Sequence, residues 1–264
     1  MTGHLRDCPG ASRLADRDPP KSPDGHAAGF IHESLEAFRY DGQTGDVHEV
    51  AGMLHTLMPS GVRVLDVGCG TGSVTLIANG MKNNDVLGIE PDEQRAERSR
   101  SRGIDTVCGE LDETFSARHG LFDVIVFADV LEHLPSPAEV LTRAMRVLRP
   151  GGLVLISVPN VAHWSVRLNL LRGRFDYTET GILDATHLRW FTAKTIHSLC
   201  TDVGLDVRSI QQTAGTELSE YWQTLPWRVI PGRLRRRLIH LLTRLFPLLF
   251  GCQHVVLAQI RPVR

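Results

Sequence analysis

The period of the apolar positions changes several times along the chain, and each change marks an element. From Phe30 to Met58, the positions Ile31, Leu35 and Phe38, then Val47, Val50, Leu54 and Leu57, recur at helical spacing. The stretch Tyr40-Asp-Gly-Gln-Thr-Gly45 divides them into two helices. Short apolar runs follow at Val62–Val67, Val86–Glu90, Thr106–Cys108, Phe122–Phe127 and Leu153–Val158. They alternate with helical patterns over Ser73–Asn79, Gln94–Arg102 and Pro137–Leu148. Strands this apolar, separated by helices, predict a parallel sheet covered on both faces, and right-handed crossovers make it doubly wound. An irregular aromatic and charged stretch occupies 160–192, and Thr192 is placed to cap a helix that runs to about Val203. Two further strands, Leu205–Gln211 and His254–Ile260, bracket a long insertion at 212–253. The expected fold is thus a doubly wound seven-stranded α/β sheet with a helical insertion before the last strand.

Composition narrows the class. The chain has 264 residues, 42% of them hydrophobic and 22% charged, enough for one globular domain with a core. Lys plus Arg is 29 against 30 for Asp plus Glu, a net charge of -1, which argues against a nucleic-acid partner. Residues 1–29, rich in Pro, Gly, Asp, Arg and Ser, predict a disordered leader before a domain at 30–264. Five scattered cysteines with no C-x-x-C pair argue against a disulfide framework or a structural zinc site. No signal-peptide core or long uninterrupted apolar run appears, so the expectation is a cytoplasmic protein.

Chemistry enters at Asp66-Val-Gly68-Cys-Gly70-Thr-Gly72, where a strand turns into a helix. Alternate glycines permit tight turning and close approach of backbone to a ligand, and the helix N-terminus beyond offers free N–H groups. The Gly-x-Gly-x-Gly spacing disfavours a dinucleotide pyrophosphate. Asp66 would repel phosphate but welcome an ammonium group, and Glu90, ending the next strand, is placed to accept two ribose hydroxyls. A ligand with a ribose and an amino-acid tail fits better than NAD.

Val64-Leu-Asp-Val-Gly-Cys-Gly-Thr-Gly72 resembles motif I of the class I S-adenosylmethionine-dependent methyltransferases. Gly88-Ile-Glu90 resembles the ribose-binding motif of that family. Phe122-Asp-Val-Ile-Val-Phe-Ala-Asp-Val-Leu-Glu-His-Leu134 resembles its fourth-strand motif, and Val147-Leu-Arg-Pro-Gly-Gly-Leu153 the turn before strand five. The resemblance implies a Rossmann-like methyltransferase sheet and S-adenosyl-L-methionine as cofactor. Gly68 and Gly70 would line its methionine side, with Cys69 and Gly72 in the same loop, Asp66 at its amino group and Glu90 on its ribose. The family usually carries Gly-Asp near the adenine; this chain has Gly109-Glu110, so Glu110 takes that place. Asp129 would border the methionine and the mouth of the site, unless it is only a turn cap. Glu132 and His133 match as well and are read as scaffold.

Acceptor chemistry is sought after strands four and five. The run Asp184-x-Thr-His187-Leu-Arg189-x-Phe-Thr192 resembles bacterial methyltransferases of sugar, cell-envelope and natural-product pathways, and distantly the Thr-His segment of ubiquinone-pathway O-methyltransferases. His187 is the candidate base, since its unperturbed pKa of about 6.5 permits proton acceptance at neutral pH, and Asp184 would orient it. Asn160, His163, Trp164, Tyr177 and Arg189 are the candidate acceptor-binding residues. No His/Asp spacing demands a metal, so none is assigned. The main expectation is O-methylation of a small molecule such as a sugar. A phenolic, quinone-like or carboxylate acceptor is the first alternative, and a non-catalytic cofactor-binding subunit the second.

Residues 228–250 hold Arg228, Arg233, Arg235, Arg236, Arg237 and Arg244 and no acid. At about 100° per residue, Arg233, Arg237, His240 and Arg244 share one face of a helix, and Leu234, Leu238, Leu241, Leu242 and Leu245 share another. Such a helix packs on its own domain or on a second protomer, or brings residues 232–250 to an anionic membrane at its inner face.

Overall fold

The computed structural model describes residues 41–260, so the leader and the helix expected before Tyr40 lie outside the described residues. The helices, in chain order, are α1 Val50–Leu57, α2 Ser73–Asn79, α3 Glu93–Ser101, α4 Phe115–His119, α5 Pro137–Val147, α6 Trp164–Leu171, α7 Ala193–Asp202, α8 Glu220–Gln223, α9 Gly232–Leu245 and α10 Pro247–Phe250. The strands are β1 Arg63–Val67, β2 Asp85–Glu90, β3 Asp105–Cys108, β4 Phe122–Ala128, β5 Leu148–Pro159, β6 Leu205–Gln212 and β7 Gln253–Ile260. They form a seven-stranded sheet in the order β3-β2-β1-β4-β5-β7-β6.

Alternation along each strand feeds two apolar layers. Leu65, Ile125, Phe127 and Ile156 point to the side covered by α4, α5 and α7, where they meet Phe115, Leu141 and Ile196. Val64, Val124, Val126 and Leu155 point to the other side, against Val50, Leu54 and Ala78 of α1 and α2. The sheet is not wholly parallel: β7 runs against both β5 and β6. The chain returns from β6 through the insertion to pair antiparallel with it, so no crossover is needed. Strand order reverses between β1 and β4, so a crevice opens at their carboxyl ends, the usual ligand position in such sheets. The start of α7 is set as the sequence suggests: Thr192 caps it, and with Thr195 it forms a reciprocal capping box.

The insertion folds onto the domain, but α9 does not bury the leucine stripe. Arg235, Ile239 and Thr243 form its buried line, flanked by Leu238 and Leu242, while Leu234, Leu241 and Leu245 are 57%, 51% and 59% exposed. Arg235 tolerates burial because its guanidinium lies 3.6 Å from the Trp222 ring centroid and donates to the Trp227 carbonyl. The leucines are therefore split between two faces, and the exposed three run beside Arg233, Arg237 and Arg244. No helix among the described residues is long and apolar enough to cross a membrane.

Candidate functional site

Beyond β1 the chain turns through Gly68, Gly70 and Gly72, with φ of +70°, +56° and +77°. For an L-residue the left-handed conformation costs about 1–2 kcal/mol at each such position. The three glycines do different work. A Cβ on Gly68 would lie 2.8 Å from Val130 Cγ2, and one on Gly72 would lie 2.4 Å from Ile104 Cδ1, so both permit close packing. A Cβ on Gly70 would meet no described atom within 4 Å. Gly68 N–H and Cys69 N–H both donate to the Ile89 carbonyl, which holds the loop against β2.

Glu90 ends β2 and is buried. Its Oε2 accepts from Gly70 N–H at 2.9 Å and its Oε1 from Asp92 N–H at 3.1 Å. Each oxygen keeps a second lone pair, so the carboxylate is oriented by backbone and still able to accept a pair of hydroxyls. Burial raises its pKa, and the two N–H donors work against that rise.

Asp66 sits on the α1/α2 side of the sheet. Thr75 donates to its Oδ2, while Oδ1 is buried with no hydrogen-bond partner among the described residues. An unsatisfied buried acceptor costs about 1–3 kcal/mol. Burial, with the charge of Glu90 adding to it, pushes the carboxyl pKa up to about 7. A cationic amino group is the partner such an oxygen lacks. The open space at Gly70, the lone pairs of Glu90 and the orphaned Oδ1 of Asp66 together fit S-adenosylmethionine.

One sequence expectation needs correction here. The Cys69 thiol is packed behind the loop: a Cβ on Gly88 would lie 2.6 Å from its Sγ, and burial pushes its pKa up to about 12. Only its backbone is left to face a ligand. Glu110 is exposed, and Gly109 N–H donates to the Glu90 carbonyl, which sets that turn beside Glu90.

Asp129, just past β4, has φ +55°, a left-handed conformation that an aspartate tolerates better than most residues. It is not a turn cap. Ser157 Oγ donates to its Oδ1 at 2.8 Å, and Gln253 Nε2 donates to both oxygens at 2.9 Å. The strands β5 and β7 therefore aim this carboxylate. Gln253 was missed in the sequence because its meaning appears only when β7 lies antiparallel beside β5; its one signal is a polar residue opening an apolar strand.

A 3-10 turn, Leu131–His133, follows and is stitched to the Asp184–Arg189 loop. The Glu132 carbonyl accepts from Leu188 N–H at 2.8 Å and Arg189 N–H at 2.9 Å. His133 Nδ1 lies 3.2 Å from the Thr186 carbonyl, and Arg189 donates to the Pro135 carbonyl at 2.6 Å. Arg189 is exposed and serves as a tie between loop and turn. Asp184 Oδ1 accepts from the Thr186 N–H and hydroxyl, while His187 Nδ1 sits 3.1 Å from the Ile182 carbonyl. The Ile182 carbonyl holds the imidazole, and the bonds of Asp184 to Thr186 brace the loop that carries it. The His133 and His187 rings meet edge-on with centroids 4.9 Å apart.

The remaining acceptor candidates divide. Asn160, His163 and Trp164 anchor the insertion instead of lining a pocket. Asn160 is buried and donates to the Gly251 carbonyl at 2.8 Å. His163 caps α6, and its Nε2 lies 3.3 Å from the Tyr221 hydroxyl, to which Trp164 Nε1 also donates at 3.1 Å. Burial pulls the His163 pKa down to about 3, so the ring stays neutral. Tyr177 is half exposed and shares a ledge with Phe175 and Trp190, with ring centroids 5.6–6.2 Å apart.

The crevice and its carboxylates define a class I S-adenosylmethionine-dependent methyltransferase. The chain belongs to the methyltransferase-domain family, whose model matches residues 22–210. It is 33% identical over 122 residues to a ubiquinone biosynthesis O-methyltransferase of Bordetella bronchiseptica, covering 44% of this chain and 48% of that protein. A protein of the same name from Leptothrix cholodnii is 26% identical over 175 residues, covering 61% and 72%. The chain spans about half the length of the first of these relatives. A SAM-dependent methyltransferase structure from Archaeoglobus fulgidus shares the fold, with TM-score 0.53 over 81% of this chain and 96% of that one, at 17% identity.

Proposed function

We propose that this chain transfers a methyl group from S-adenosylmethionine to a hydroxyl of a phenolic or quinol-like acceptor. The observation that carries the reading is the conjunction at the β1/β4 switch point of the open Gly70 turn, the orphaned Asp66 Oδ1 and the oriented Glu90 and Asp129. When bound, the cofactor supplies an electrophilic methyl carbon: an O–C bond forms as the S–C bond breaks, and the electron pair stays on sulfur. The protein's own share is positioning, an effect that reaches about 7–11 kcal/mol. Asp66 and Glu90 hold the two ends of the ligand. His187 is the side chain proposed to take the acceptor's hydroxyl proton on Nε2, because an Nδ1–H donated to the Ile182 carbonyl leaves the lone pair there.

The acceptor class is supported by the names of the relatives and by the ledge of Phe175, Tyr177 and Trp190, since aromatic pairs contribute about 0.5–1.5 kcal/mol beyond buried area. A sugar acceptor finds no support among those relatives. The outer face of α9 supports a route to a lipophilic acceptor. Exposed leucines beside Arg233, Arg237 and Arg244 suit an anionic lipid surface, where each arginine contributes about 1 kcal/mol. A second copy docked there would set like-charged arginines against each other.

Methyl uptake from labelled S-adenosylmethionine, measured with alkyl-tailed catechols and with sugars, tests the reading. Uptake by the catechols is expected; uptake by sugars alone overturns it. Sedimentation with phosphatidylglycerol vesicles, and not with phosphatidylcholine, is expected of the intact chain and weakened by Leu241→Glu. Equal partitioning to both lipids would sink the membrane route.

A further inference from the structure

Asp66 shares its want of a hydrogen-bond donor with a second residue. The Oδ1 atoms of Asp66 and Asn79 are both buried, and neither has a hydrogen-bond partner among the described residues. Both residues line one small cavity, together with Thr75 and otherwise apolar side chains of β1, β2, β4 and α2. Thr75 and Asn79 stand one turn apart on α2 and so share a face of it. Thr75 donates its only hydroxyl proton to Asp66 Oδ2, which leaves none for either Oδ1.

The size of the cavity selects its occupant. Its volume is about 10 Å³, room for a single water molecule. A wholly apolar cavity of that size stays dry, but two buried acceptors in the wall call for two protons, and one water brings both. A way in lies behind Asn79. Thr75, Asn79 and Val86 also line a cleft at the amino ends of β2 and β3, where Asp85 and Asp105 are exposed to solvent.

We propose that this cavity binds one water molecule, which donates to Asp66 Oδ1 and Asn79 Oδ1, and that Asn79 is a positioning residue acting on Asp66 through it. A carboxylate oxygen accepts twice, so the water leaves Oδ1 a lone pair for the amino group of a cofactor. A donor on the carboxylate favours its charged form, so the water eases the ionisation that burial opposes. The other groups around Asp66 do not supply that donor. Glu90 on β2 adds a like charge, and the Cys69 thiol lies in the loop beyond β1. From α1, His55 Nδ1 is engaged 3.2 Å from the Ala78 carbonyl, beside Asn79. The water site belongs to the free chain; its effect on cofactor binding rests on the methyl-transfer reading.

A high-resolution crystal structure of the full chain without cofactor is the first test. One solvent peak at about 2.7–3.2 Å from both Oδ1 atoms is expected. An empty cavity would overturn the proposal, as would contacts of about 2.3–2.6 Å, the mark of a bound cation. The second test follows the Asp66 carboxyl of the free chain by carbon-13 NMR against pH. Asn79→Leu removes the amide and fills the space, and should raise the carboxyl midpoint by about one pH unit, the loss of one hydrogen bond to the charged form. Ala78→Val narrows the cavity without touching a polar group and should raise it likewise, which keeps the test open if Asn79→Leu does not fold. A midpoint unmoved by either substitution would refute the role given to Asn79. S-adenosylhomocysteine binding is titrated in parallel. Intact binding with an unmoved midpoint defeats the water site alone; a raised midpoint in a chain that never binds that ligand defeats the methyl-transfer reading alone.

Discussion

The clearest separation of architecture from binding lies in a pair of glycines. Gly61 and Gly70 both adopt left-handed backbone, with φ of +68° and +56°, and at both a Cβ would meet no described atom within 4 Å. Gly61 precedes β1, at the other end of that strand from the ligand crevice; Gly70 lies within the crevice loop, donating its N–H to Glu90. Alanine at either position therefore carries the same conformational cost, about 1–2 kcal/mol. For a domain of this size that is a fall in Tm of about 2–4 °C per kcal/mol. If the space over Gly70 belongs to the cofactor, its methyl group intrudes on the ligand and costs at least about 1.4 kcal/mol more, a tenfold loss of affinity. Thermal denaturation of the free proteins and calorimetric titration with S-adenosylhomocysteine read the two effects separately. Equal loss of Tm is expected, with weakened binding in Gly70→Ala only. Equal affinities in the two variants would refute the assignment of the crevice.

Asp66 makes binding pH-dependent. With its carboxyl pKa raised to about 7 in the fold against 3.8 unfolded, the free protein loses stability as pH rises between those values, and the carboxylate needed by an ammonium group forms only near neutrality. Affinity for S-adenosylhomocysteine should rise through pH 7 and level off above it; an unchanged slope in Asp66→Asn would exclude this carboxyl as the cause. Tyr221→Phe strips the hydroxyl shared by His163 and Trp164 and should destabilise by about 1–3 kcal/mol in urea unfolding; no change would show that the insertion is anchored elsewhere. On α9, Ile239→Ala should destabilise by about 2–5 kcal/mol, whereas Leu241→Ala should stay within about 0.5 kcal/mol; comparable losses would mean that the leucine face is covered.

The sheet was legible because its strands carry local signals. Val64 and Leu65, or Val124 and Ile125, serve opposite faces, so each strand reads as an unbroken apolar run whichever side its residues take. The glycine loop after β1 was legible for a related reason: positive φ restricts the residue type, and Gly68, Gly70 and Gly72 announce it in one dimension. The direction of β7 carries no such signal, because Val255 and Val256 are equally apolar in either orientation.

The acceptor side was hardest to read, for a reason that Glu132, Asn160 and Leu234 illustrate together. Each side chain's role depends on a partner distant in sequence. Glu132 meets the loop of His187, which the backbone bonds of Leu188 and Arg189 bring to it. Asn160 looks like a pocket wall after strand five until Gly251 arrives to take its amide. The leucines of α9 look like a core stripe until Arg235 finds Trp222, which turns the helix so that a charged residue goes in and three leucines stay out. A helical wheel weighs residue types and cannot weigh one cation–aromatic contact of about 2 kcal/mol or more when desolvated. Chemistry held by one continuous segment is thus readable from residue type and spacing. Chemistry assembled across segments becomes readable only from the pairings that the fold imposes.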